Sequence, residues 1–109
     1  DDLTIEEQYR QTIESVKYVK QAFSLSYGAF AFPHKDTGVS KRLFNKIYSS
    51  GIIDISFGTA GLICDVIPWN FQRVSMENPP KPAEYNVVYN CLKRTYKVIS
   101  GRNTLLRNE

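Results

Sequence analysis

Two short apolar runs, Ala29–Phe32 and Ile52–Phe57, bracket a helix pattern, and that order constrains the fold more than any other feature of the chain. The helix pattern opens at Ser40, whose hydroxyl suits an N-cap, and carries Leu43, Phe44, Ile47 and Tyr48 on one face. It ends at Gly51, which suits the left-handed position after a helix. A helix of about ten residues between two apolar runs is a crossover, so the two strands are expected to be parallel neighbours. Upstream, Thr4-Ile5-Glu6-Glu7 has capping-box spacing. Ile5, Tyr9, Ile13, Val16, Val19 and Phe23 then recur every three or four residues, a stripe on a helix of about five turns. Helix and strand alternate, which is an α/β pattern and not a meander of hairpins.

Beyond Phe57 the signals are less regular. Gly58-Thr59-Ala60-Gly61 reads as an ordinary strand-end loop, because it lacks the glycine and lysine spacings of a phosphate cradle. Pro68-Trp69-Asn70 reads as a turn, and Phe71–Met76 has room for a short strand containing Arg73. A proline-rich connector at 78–82 leads into a terminal helix over 83–100, with Tyr85, Val88, Tyr89, Leu92, Tyr96 and Ile99 as its stripe. Residues 101–109 read as a tail. With 109 residues, 42% of them hydrophobic, the chain suits a single domain, 1–109, with its own core.

A net charge of +3 is too mild to argue for a nucleic-acid partner. The thicker basic cluster of Lys93, Arg94, Lys97, Arg102 and Arg107 is expected to be a solvated helix face and tail. No apolar run approaches the roughly 18 residues of a membrane span. Cys64 and Cys91 form no Cys-x-x-Cys pair, and two buried or half-buried thiols are expected in preference to a disulfide. The compartment stays open on these grounds. The chain has one histidine, His34, with Asp36 as the only carboxylate at a short spacing, so no three-ligand metal site is expected. No Gly-x-Ser-x-Gly elbow and no cysteine with a histidine nearby points to a nucleophile.

The segment Phe30-Ala31-Phe32-Pro33-His34-Lys35-Asp36, taken with what surrounds it, resembles a conserved segment of the polysaccharide deacetylases, the NodB-homology family, which many members write Phe-Ala-Tyr-Pro-Tyr-Gly-Asp. The order of later segments is similar too. A helix leads to Phe57-Gly58-Thr59-Ala60-Gly61, and Phe71-Gln72-Arg73-Val74-Ser75-Met76 looks like the family's Arg-Ile-x-Met/Ile strand. The similarity covers about residues 3–77. It implies the C-terminal part of a (β/α) barrel, with parallel strands alternating with helices. It also implies an intact parent, bacterial and of the cytoplasm or cell envelope, that removes acetyl groups from a carbohydrate by metal-assisted hydrolysis.

The family's metal motifs, an Asp-Asp pair and a His-x-x-x-His that hold a divalent, zinc-like metal in an intact parent, are expected upstream of Asp1. This chain alone is therefore expected to be inactive and to carry no cofactor. By the same resemblance Pro33 and His34 match the Pro-aromatic step whose backbone N–H polarises the acetyl oxygen, and Asp36 matches a following Asp. Ala31 stands where other members place an Arg, so an ion pair from that position is missing. Asp65 and Trp69 are candidates for the family's Asp-Trp segment. Phe32, Pro33, His34, Asp36 and Trp69 are the resulting groove residues, although core packing is the plainer reading of Phe32 and Trp69. A different reading makes the chain a small non-catalytic module that binds a glycan or a protein through Tyr27, Phe32, His34 and Trp69. Unpaired strand edges and uncovered apolar faces lead to an expectation of self-association.

Overall fold

A computed structural model describes residues 3–76 and 81–109. Helix α1 spans Ile5–Ala22, and its start is the capping box read from the sequence: the Thr4 hydroxyl accepts from the Glu7 N–H at 3.3 Å, while the Glu7 carboxylate accepts from the Thr4 N–H at 3.0 Å. Strand β1 is Ala29–Ala31, helix α2 Lys41–Ser49 and strand β2 Ile55–Gly58. Ser40 caps α2 through its hydroxyl, and Gly51 follows that helix at φ +71°, a conformation few other residues adopt. Strand β3 is Cys64–Asp65, β4 Asn70–Gln72, helix α3 Ala83–Ile99 and strand β5 Thr104–Leu105. Residues 78–80 of the expected connector lie outside the described residues.

The expected parallel neighbours are observed. β1 pairs parallel with β2, Ala31 opposite Phe57, and β2 pairs parallel with β4, giving the order β1-β2-β4. β2 begins at Ile55, later than the apolar run suggested, because the N–H groups of Asp54 and Ile55 both turn to the Gly28 carbonyl. A second parallel pair joins β3 to β5, with Asp65 opposite Leu105. The molecule is thus a mixed helix–strand α/β structure built on parallel pairs.

The two faces of the main sheet differ. α1 and α2 pack on each other over one face, and Ile13, Val16, Leu43, Phe44, Ile47 and Ile53 form the buried core there. Phe30 and Phe32 pack against that core, with ring centroids 5.0 Å apart, and Phe32 lies 5.6 Å from Phe44. Side chains alternate across a strand, so Ser56 and Gly58 are buried toward the helices while Ile55 and Phe57 turn away. On that second face Ala29 and Ala31 are exposed, and the Phe57 and Phe71 rings lie 6.4 Å apart. Phe71 stays exposed there as well, and α3 lies instead beside the 59–61 loop and residues 74–75.

Several expectations are corrected here. Residues 101–109 do not trail into solvent: Thr104–Leu105 pair with β3, the Asn108 carbonyl accepts from the Lys41 N–H at 2.8 Å, and Arg107 is buried. The expected solvated basic cluster therefore loses Arg107, because β5 carries it beneath the sheet end. The stripe on α3 is a stripe but not a core: Leu92, Tyr96 and Ile99 are exposed, as is Phe23 at the end of α1. Both cysteines are free, as expected, but exposed rather than buried.

Candidate functional site

β1, β2 and β4 run parallel, so their carboxyl ends meet at one edge, where an α/β sheet usually gathers its polar groups. Each strand delivers something there. β1 leads through Pro33 to Asp36, β2 ends at Gly58 before the 59–61 loop, and β4 ends at Gln72 before Arg73. A fourth contribution comes from β5, which sets Arg107 two residues past its end.

These pieces build a buried ionic network. The Asp36 carboxylate is fully buried and accepts from the Arg107 Nη2 at 2.6 Å, Gln72 Nε2 at 3.0 Å, Asn70 Nδ2 at 3.1 Å and the Thr59 N–H at 2.9 Å. Asp65 accepts from the same Arg107, whose Nε lies 2.9 Å from Oδ1, and from Asn70 at 2.8 Å, Gln72 at 2.9 Å and the Ile67 N–H at 2.9 Å. Ser56 ties Asn70 in place at 2.6 Å and shares a hydrogen bond with the Tyr48 hydroxyl at 2.6 Å. The guanidinium also lies 4.5 Å from the centre of the Phe44 ring, which joins the network to the core. One guanidinium between two carboxylates leaves a negative charge over, and four amide donors share it.

Burial alone would push the Asp36 carboxyl up, but hydrogen bonds from Gln72, the Thr59 N–H, Arg107 and Asn70 outweigh it and hold the group at about 2. Asp65 is lowered by the same contest, and burial pulls Arg107 down less than its two carboxylate partners raise it. Gly58 makes the geometry possible: a Cβ there would overlap the Asp36 carboxylate and the Gln72 amide.

Outside this network the same sheet edge opens into a cleft of about 550 Å³, lined by Pro33, Thr59 and residues 73–76. Arg73 crosses its base, donating to the carbonyls of Gly58 and Phe32. Of the five residues singled out from the sequence, Pro33 lines this cleft. Phe32 packs against the core, and His34 is exposed, lining with Phe32 and Pro33 an apolar groove of about 600 Å³ between α1 and β1. Asp36 is not a groove wall; its carboxylate is consumed inside the network. Trp69 is neither core nor groove: it is 60% exposed and precedes β4, at the opposite end of the strands. Tyr27 lies at that end too, before β1, so Tyr27 and Trp69 do not share a surface end with Phe32 and His34.

The residues the sequence reading passed over are Asn70, Gln72 and Arg107. Asn70 and Gln72 are two amides at alternate positions of β4 and hence on one face, a pattern hidden by the reading of Asn70 as a turn residue and of the strand as Phe71–Met76; the pairing with β2 starts the strand at Asn70 and ends it at Gln72. The zinc-like metal implied for an intact parent does not fit the groups here. Among the described residues no three of His, Cys, Asp and Glu converge, and both network carboxylates are already filled by Arg107, Asn70 and Gln72. No protein-family model, no curated protein and no solved structure matches this chain.

Proposed function

We propose that the chain is the C-terminal part of a polysaccharide deacetylase-like protein of (β/α)-barrel type, whose intact parent removes acetyl groups from a carbohydrate. One observation carries the reading: helices cover a single face of the parallel sheet. An open doubly wound sheet needs helices on both faces, whereas barrel strands have helices outside and a layered interior. The uncovered face has the composition of such an interior, with Ala31, Phe57 and Phe71 in one row across the three strands. In this reading Pro33 and His34 form one wall of the sugar groove, and the His34 backbone N–H faces the oxygen on which charge develops. Asp36 and Asp65 act as braces that fix the sheet edge through Arg107, and take no part in proton transfer.

The test compares two polypeptides on an N-acetylated chitooligosaccharide. The present chain is expected to release no acetate. A longer product of the same gene, carrying an Asp-Asp pair and a His-x-x-x-His ahead of Asp1, is expected to release it and to stop on chelation. Acetate from the present chain, or an upstream sequence without those motifs, overturns the reading.

A further inference from the structure

A buried amide left unpaired among the described residues, that of Asn86, lies beside a groove of about 590 Å³ between α3, the 59–61 loop and residues 74–75. We propose that this groove binds a ligand bearing an oxyanion, a phosphate or carboxylate group, seated on Asn86 between Lys81 and Lys93. Asn86 is only 7% exposed, lines the groove, and its Nδ2 has no hydrogen-bond partner among the described residues. A buried amide without a partner costs stability, and an apolar side chain of similar size would serve the fold better. Its Nδ2 is itself enclosed, so a ligand acceptor completes it once the Asn86 side chain turns toward the groove.

Among the described residues, the charges that line the groove have one sign. Lys81 and Lys93 line the groove, and no Asp or Glu among the described residues does. Each ammonium is held over a ring: Lys81 Nζ lies 4.0 Å from the centre of Tyr85 and Lys93 Nζ 5.9 Å from that of Tyr89, the two rings themselves stacking at 6.2 Å. Asn86 belongs to the first turns of α3, near its positive end, whose N-cap, Pro82, gives no side-chain cap; Glu84 of the same turn carries a negative charge but does not line the groove. The 59–61 loop is not the donor. Its three N–H groups are taken by Asp36, Gln72 and the Arg73 carbonyl. The site therefore belongs to the helix, with the loop as its opposite wall. It stands independently of the deacetylase reading.

Proton–nitrogen correlation spectra of the chain, titrated with inorganic phosphate and separately with glucuronate, test the proposal against sodium chloride at equal ionic strength. Saturable shifts are expected at the Asn86 side-chain amide and at the backbone of Lys81 and Asn90. Saturation by phosphate alone assigns a phosphate group, and saturation by glucuronate alone a carboxylate. Asn86→Leu is expected to hold or raise Tm while weakening binding about tenfold or more, the loss of one hydrogen bond to a charged group. The surface double variant Lys81→Met/Lys93→Met is expected to weaken it without changing Tm. Shifts that chloride reproduces, shifts that leave Asn86 unmoved, or a fall in Tm on Asn86→Leu overturn the proposal.

Discussion

Arg107 holds together residues 36, 39 and 65, donating to both carboxylates and to the carbonyls of Asp36 and Val39. Removing one partner of a buried ion pair strands the other, so Arg107→Met is expected to cost about 3 kcal/mol or more, read from urea unfolding. The exposed pair Lys41–Glu109 gives the contrast, and Glu109→Gln is expected to stay within about 0.5 kcal/mol. Acid should act on the same network. The folded-state carboxyl of Asp36 lies below its unfolded value, so its contribution is present above pH about 4 and lost as pH falls toward about 2. Fluorescence-monitored unfolding between those values is expected to show a loss of about 2 kcal/mol from this group, and a flat profile would contradict the assignment. The sequence made Asp36 conspicuous but misplaced its role. Charge is legible in a sequence and burial is not: Arg107, between Leu106 and Asn108, has no local signal for being enclosed.

Helices were the legible elements because their signals are local. A Thr4–Glu7 box, a Ser40 cap, Gly51 and Gly101 mark ends that the chain keeps. The two-residue strands β3 and β5 were not legible, since Cys64 and Thr104 pair across a separation that no periodicity encodes. The stripe of α3 shows the limit of pattern reasoning, for amphipathic spacing says which side chains share a face and not what lies against it. The consequence is measurable. Leu92→Ala, at a 67% exposed position, is expected to change stability by no more than about 0.5 kcal/mol. Phe44→Ala, at a fully buried one, is expected to cost about 3 to 5 kcal/mol. Equal losses at both positions, compared by thermal melts, would mean that α3 is packed after all.

At the scale of the whole molecule, two apolar surfaces lack covers: the sheet face around Phe57 and Phe71, and the α3 face with Val88, Leu92 and Ile99. A second copy can cover them, so sedimentation at micromolar concentration is expected to show a species heavier than one chain that dissociates on dilution. A sharp monomer with a concentration-independent melt would mean that the chain closes its own core. The sheet's carboxyl edge has the opposite property, being polar, and is the face proposed to meet carbohydrate. Titrating the labelled chain with an N-acetylglucosamine trisaccharide and mapping amide shifts checks this most directly. Movement is expected at His34, Lys35, Thr59, Arg73 and Ser75, around the cleft at the ends of β1, β2 and β4. Shifts confined to Tyr27 and Trp69 at the amino ends, or none at saturating sugar, would contradict it.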